Sequence, residues 1–147
     1  MEDPYSWKQE GIISLWRYTE FPKKYGGWHL TADSAGVSSL LSLLEQLAGS
    51  PHLYRTVTVT PPSPLALRVP NFQQGRATWV APAKWQIRCS PAECWQFPAS
   101  LDPATLTVGG QFLQALESGL KGIPKGEGDF GIGHPDPLYF WWWLGAA

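Results

Sequence analysis

Charge is scarce in this chain. Eleven Lys and Arg stand against twelve Asp and Glu in 147 residues, a formal net of −1. A nucleic-acid binder needs a basic stripe, and here the basic residues are scattered, Lys23-Lys24 being the only adjacent pair. No nucleic-acid partner is expected. Long apolar runs are also missing. The longest, at the C-terminus, covers 138–144, far below the ~20 residues a membrane helix requires, so no membrane partner is expected. Met1-Glu2-Asp3-Pro4-Tyr5 is acidic and polar, the opposite of a secretory leader. The expected setting is cytoplasmic. Only two cysteines occur, Cys89 and Cys94, and in that setting they are reduced thiols.

Chemical signatures are equally thin. There is no G-x-S-x-G nucleophile turn. Gly126-Glu127-Gly128-Asp129-Phe130-Gly131 spells G-x-G-x-x-G, but a dinucleotide site needs a helix after that motif. Pro135 and Pro137 follow instead, and Glu127 and Asp129 would repel phosphate. Asp129-Phe130-Gly131 resembles a kinase metal tripeptide without its partner motifs, in a chain too short for a kinase. Cys89 and Cys94 lack the C-x₂-C spacing of zinc knuckles, and Cys89 falls on the inward side of a strand, as core cysteines do. Completing a zinc site would take two of His29, His52 and His134; no metal or cofactor is expected. As a nucleophile Cys94, after a turn, is the better placed of the two, against the ordinary reading of a structural thiol. Glu20 and Asp33 could serve as a carboxylate pair only if the fold brought them together.

What the chain does have is rings: nine Trp, five Tyr and six Phe. Tyr139-Phe140-Trp141-Trp142-Trp143-Leu144 shows neither a two-residue nor a 3.6-residue period. Such a run has no wet face, so it is expected inside a sheet, or covered by a second copy in a homodimer. At this length the chain is expected to form one domain over 1–147, burying roughly 68–70% of its unfolded surface.

The pattern predicts an α+β fold, an antiparallel or mixed sheet of about six to eight short strands with two helices packed on it. Asp33 is an expected N-cap for a helix over 34–48, where Val37, Leu40, Leu41, Leu44 and Leu47 fall on one face. Strands are expected over 12–18, 28–30, 53–60, 65–69, 76–81, 84–89 and 95–97, and over the aromatic run. Asp102-Pro103 reads as the start of a second helical region, firm from Gln111 to Leu120. Residues 121–137 read as a Gly/Pro-rich irregular loop. Strand, aromatic strand, helix, strand describes both 12–60 and 84–144. Without residue identity, chance explains that echo better than duplication; a true repeat would give one mixed sheet with both helices on one face.

Function must then rest on the rings. Trp7, Tyr25, Trp28 and Phe72 lie near turns beside Gly, Pro and Lys, and exposed Trp and Tyr concentrate binding energy at protein interfaces. Their first reading is a non-enzymatic module, of adaptor, inhibitor or immunity type, that grips a protein partner. The plainer one is that loops fold down over aromatic anchors. The alternative is a small-ligand-binding protein or enzyme, with an aromatic cleft covered by loop 121–137. There His29 or His134 would be the acid–base group and Asp136 its neighbour, since loops carry function.

Overall fold

The computed structural model describes residues 7–19, 27–50, 53–68, 78–128, 130–134 and 136–143. Among these described residues nine strands and two α-helices follow in the order β1 (Ile13–Tyr18), β2 (Trp28–Ala32), α1 (Ser34–Ala48), β3 (Tyr54–Thr58), β4 (Trp79–Val80), β5 (Lys84–Cys89), β6 (Cys94–Gln96), β7 (Ala104–Gly109), α2 (Gln111–Gly122), β8 (Phe130–Ile132) and β9 (Leu138–Phe140). The fold is α+β, but the strands form two sheets: β4-β1-β2-β9-β8 and β3-β5-β7-β6.

α1 forms where the apolar period predicts it. Asp33 caps it by accepting from the Gly36 N–H, and Val37, Leu40, Leu43, Leu44 and Leu47 are buried, each worth about 1.5–3 kcal/mol in removed apolar surface. α2 buries Leu116 and Leu120. Both helices join one core with the inner faces of both sheets, among them Ile13, Leu15, Trp28 and Leu30 from one and Trp85, Ile87, Leu106 and Val108 from the other.

Three local expectations change. Residues 104–109 are strand β7, not the start of a helix, because Leu106 and Val108 point inward while Thr105 and Thr107 alternate with them. That two-residue period outweighs the Asp102-Pro103 signal. Of the strand expected over 65–69, residues 65–68 do not extend (Val69 lies outside the described residues): Ser63 accepts from the Ala66 N–H through Oγ and from the Leu67 N–H through its carbonyl, closing a 3-10 turn over Ala66–Arg68. Loop 121–137 contains β8 and a 3-10 turn at Ile123–Lys125.

β9 lies inside the sheet, between parallel β2 and antiparallel β8. Leu138 and Phe140 enter the main core, while Trp141 joins a second cluster with Trp16, Tyr18 and Ala66. The strand ends at Phe140, and Trp142 is 39% exposed, so only the first part of the aromatic run is enclosed.

A topological repeat is present, with different counterparts from those the sequence suggests. β1–β2–α1–β3 and β6–β7–α2–β8 each run antiparallel hairpin, helix, strand. β5 and β9 close the two sets, β5 parallel to β7 and β9 parallel to β2. Each helix carries the chain from one sheet to the other. Hence two sheets form rather than one.

Candidate functional site

Two of the interface anchors read from the sequence, Trp28 and Trp7, are not surface groups. Trp28 is fully buried: it opens β2, a strand buried along its whole length. Its ring stacks on Phe97 at 4.8 Å, its Nε1 donates to the Phe97 carbonyl, and the Arg17 guanidinium lies over it at 5.0 Å. Trp7 is 6% exposed, donates from Nε1 to the Ser39 carbonyl and lies under Arg55. Nearness to turns misled here, because both rings are the pegs that pin their segments to the core. Tyr25 and Phe72 lie outside the described residues.

His29 is also fully buried. It faces the opposite side of β2 from Trp28, next to Trp16 on β1 and Tyr139 on β9 in register. Its imidazole stacks with Trp16 at 5.7 Å, Tyr139 at 5.2 Å and Trp141 at 6.0 Å, and meets Tyr18 edge-on at 4.9 Å. Trp141 Nε1 donates to His29 Nδ1 at 3.0 Å, so Nδ1 is an acceptor and carries no proton. Enclosed in this way, His29 has no face from which to serve a solvent-borne substrate. It does not meet His134 or Asp136, and the three-residue ligand site expected from the sequence is not assembled.

His134 and Asp136 are brought to a shared ring instead. Gly133, with φ +84°, lies against the Trp95 indole, and Trp95 Nε1 donates to the Asp136 carbonyl at 2.8 Å. The exposed His134 meets Phe112 edge-on at 6.2 Å, and Phe112 in turn packs on Trp95 at 5.9 Å. Gly133, His134 and Asp136 are thereby each fastened to the Trp95–Phe112 pair. A groove of about 340 Å³ opens beside it, lined by Trp95, Gln96, Phe97, Thr105, Thr107 and Asp136 among others. A second, of about 300 Å³, is lined by Glu93, Gln111, Phe112, Ala115, Ile132 and Gly133.

Asp136, which lines the first groove, is ion-paired with Arg17, which does not line it. Arg17 Nη2 lies 3.9 Å from Asp136 Oδ1, with the side chains 20% and 35% exposed. Burial pulls the Arg17 guanidinium below its usual pKa, while Asp136 pulls it back up. The guanidinium keeps its charge at neutral pH. Sequence reading named Asp136 but missed Arg17, Trp95 and Phe97. The available signal was Arg17 itself, the one charged residue in stretch 12–18, where only Ser14 is otherwise neither apolar nor aromatic.

Among the described residues no group of three or more His, Cys, Asp or Glu could hold a metal ion. Cys89 is buried and Cys94 partly so. No described helix is long and apolar enough to cross a membrane. Comparison with protein-family models, with curated proteins and with solved structures returns no match.

Proposed function

We propose that this chain is a small-ligand-binding domain whose site is the groove lined by Trp95, Phe97, Thr105, Thr107 and Asp136. One observation carries the reading: the Trp95 Nε1 bond to the Asp136 carbonyl, which fixes Asp136 beside an open groove of about 340 Å³. That volume is in the range of ligand sites, and its mixture of rings with a few polar groups is their usual composition. Filling the groove tests it. Thr107→Trp places an indole in the groove from a half-buried position on β7. Native mass spectrometry of the tagged protein from lysate of its source organism should show a small molecule retained by the parent chain and absent from Thr107→Trp, with melting unchanged. A parent chain that carries no small molecule in lysate would sink the proposal.

A second reading, a non-enzymatic protein-binding module, draws support from Trp79. It is 37% exposed on the two-residue strand β4 and pairs with Tyr18, and Leu65 is 55% exposed. Trp79→Ala should then weaken partner capture by about 2 kcal/mol or more. We also propose a cytoplasmic setting, which the two free thiols support.

A further inference from the structure

β3 is an edge strand of the second sheet, paired on one side with β5. Backbone groups along a strand alternate between its two sides. Gln9 shows which residues of β3 face outward. Its side-chain amide accepts from the Thr58 N–H at 2.7 Å and donates to the Thr58 carbonyl at 2.9 Å. A residue of a neighbouring strand would make the same reciprocal pair. Tyr54 and Thr56 turn their N–H and C=O groups to the same side as Thr58, while Arg55 and Val57 face β5. Among the described residues nothing bonds those outward groups of Tyr54 and Thr56. Both residues are exposed, Tyr54 at 50%.

Charge around this edge has one sign. The four strands of the second sheet contain Arg55, Lys84 and Arg88 and no Asp or Glu. Lys84 and Arg88 are exposed on β5, and both reach over β3. The Lys84 ammonium donates to Thr58 Oγ1 at 3.2 Å, and the Arg88 guanidinium lies 5.7 Å over the Tyr54 ring. Glu10 instead lines a groove beside α1, and Asp102 accepts from the Ala83 N–H.

We propose that the outer edge of β3 takes up an extended acidic peptide segment as a further strand, an inference that does not rest on the groove. Backbone bonds to Tyr54 and Thr56 attach the segment, as in other cases of strand addition. Alternate side chains of the added strand share the outer face and stand about 4.8 Å from the Tyr54–Thr56 row. Carboxylates at those positions meet Arg88 and Lys84, which have no acid within their own sheet. A second copy of β3 in that place would bring two Arg88 side chains together, like charge against like.

Titration of the full, isotope-labelled chain with a capped six-residue peptide of alternating Glu and Val tests this, beside the same peptide with Lys for Glu. Without peptide, the Tyr54 and Thr56 amides should exchange fast and the Arg55 and Val57 amides slowly. The Glu peptide should slow exchange at Tyr54 and Thr56, and bind about tenfold or more tighter than the Lys peptide. Thr56→Pro removes an outward N–H that no described bond uses, a place where an edge strand accepts proline. It should abolish peptide binding with melting unchanged. Arg88→Gln alters an exposed side chain alone and should weaken the Glu peptide without touching the fold. No binding of the Glu peptide, equal binding of the Lys peptide, or protection confined to residues outside β3 would each overturn the proposal. A dimer in sedimentation that Thr56→Pro breaks would overturn it too, giving the edge to a second copy.

Discussion

Trp141 donates its indole N–H to His29 Nδ1 at 3.0 Å, inside a box of rings closed to solvent. The bond joins the last described aromatic stretch to the middle strand of its sheet. Trp141→Phe keeps an aromatic ring, gives up part of the buried indole volume, and leaves Nδ1 without that donor. An unmet buried polar atom costs about 1–3 kcal/mol, and urea unfolding should show a loss of that size. Trp142→Phe is the control: that ring is 39% exposed and meets Trp141 only edge-on, and its backbone carbonyl accepts from Thr31 Oγ1. Its effect should stay within about 0.5 kcal/mol. Equal losses from both variants would mean that ring packing, not the bond, holds His29.

Asp33 does two jobs with one oxygen. Oδ1 accepts from the Gly36 N–H at 2.7 Å, which caps α1, and from the Ile12 N–H at 2.9 Å, which fixes the entry to β1. A cap alone is worth about 1 kcal/mol; the second bond adds a comparable amount. Asp33→Ala should therefore cost about 2–3 kcal/mol, and Asp33→Asn, which keeps an acceptor oxygen, less than about 1 kcal/mol. Amide exchange separates the roles. Both Gly36 and Ile12 should lose protection in the alanine variant, and protection retained at Ile12 would refute the shared role.

Regions where one physical signal dominates were legible in the sequence. The 3.6-residue period from Val37 to Leu47 with Asp33 ahead of it gave α1, and the alternation of Trp85, Ile87 and Cys89 gave β5. Where two local signals compete, tertiary packing decided. Asp102-Pro103 argued for a helix over residues that the parallel pairing of β7 with β5 makes a strand. The division into two sheets could not be read, because it depends on each helix crossing from one sheet to the other. The site was half legible. Asp136 was singled out for its place on a loop, but exposure was misjudged at Trp7 and Trp28. Glycine and proline neighbours mark a turn without saying whether the ring beside it points out or in.

Alkaline pH should unfold this protein early. Burial pushes the Tyr18 hydroxyl up to about 12, with the Trp16 side chain pulling weakly the other way. Burial, and then the Glu117 charge, push the Cys89 thiol up to about 11. Both groups hold their protons more tightly in the folded chain than in the unfolded one. Their stabilisation is complete below the unfolded pKa values and is lost as pH rises through the folded ones. Stability should fall between about pH 9 and 12, by roughly 2–3 kcal/mol for each group. Cys89→Ala should flatten the lower part of that decline and Tyr18→Phe the upper part. Stability that stays level from pH 8 to 11.5 would contradict the burial of both.

Gly133 and Gly126 form a matched pair of left-handed residues, at φ +84° and +80°. A side chain at either costs about 1–2 kcal/mol in backbone strain. At Gly126 an added Cβ meets nothing within 4 Å; at Gly133 it overlaps the Trp95 indole, nitrogen included. Gly133→Ala must therefore lift residue 133 off Trp95 and strain or break the nearby bond to the Asp136 carbonyl, whereas Gly126→Ala only strains its turn. Unfolding should show about 1 kcal/mol lost for Gly126→Ala and about 2–4 kcal/mol for Gly133→Ala, since overpacking adds about 1–3 kcal/mol. Trp95 should also become wetter in the second variant alone, red-shifting tryptophan emission, and ligand retention should disappear with it. If Gly133→Ala shifts the spectrum yet keeps the ligand, the loop is not part of the binding site, and the groove proposed here is the wrong one.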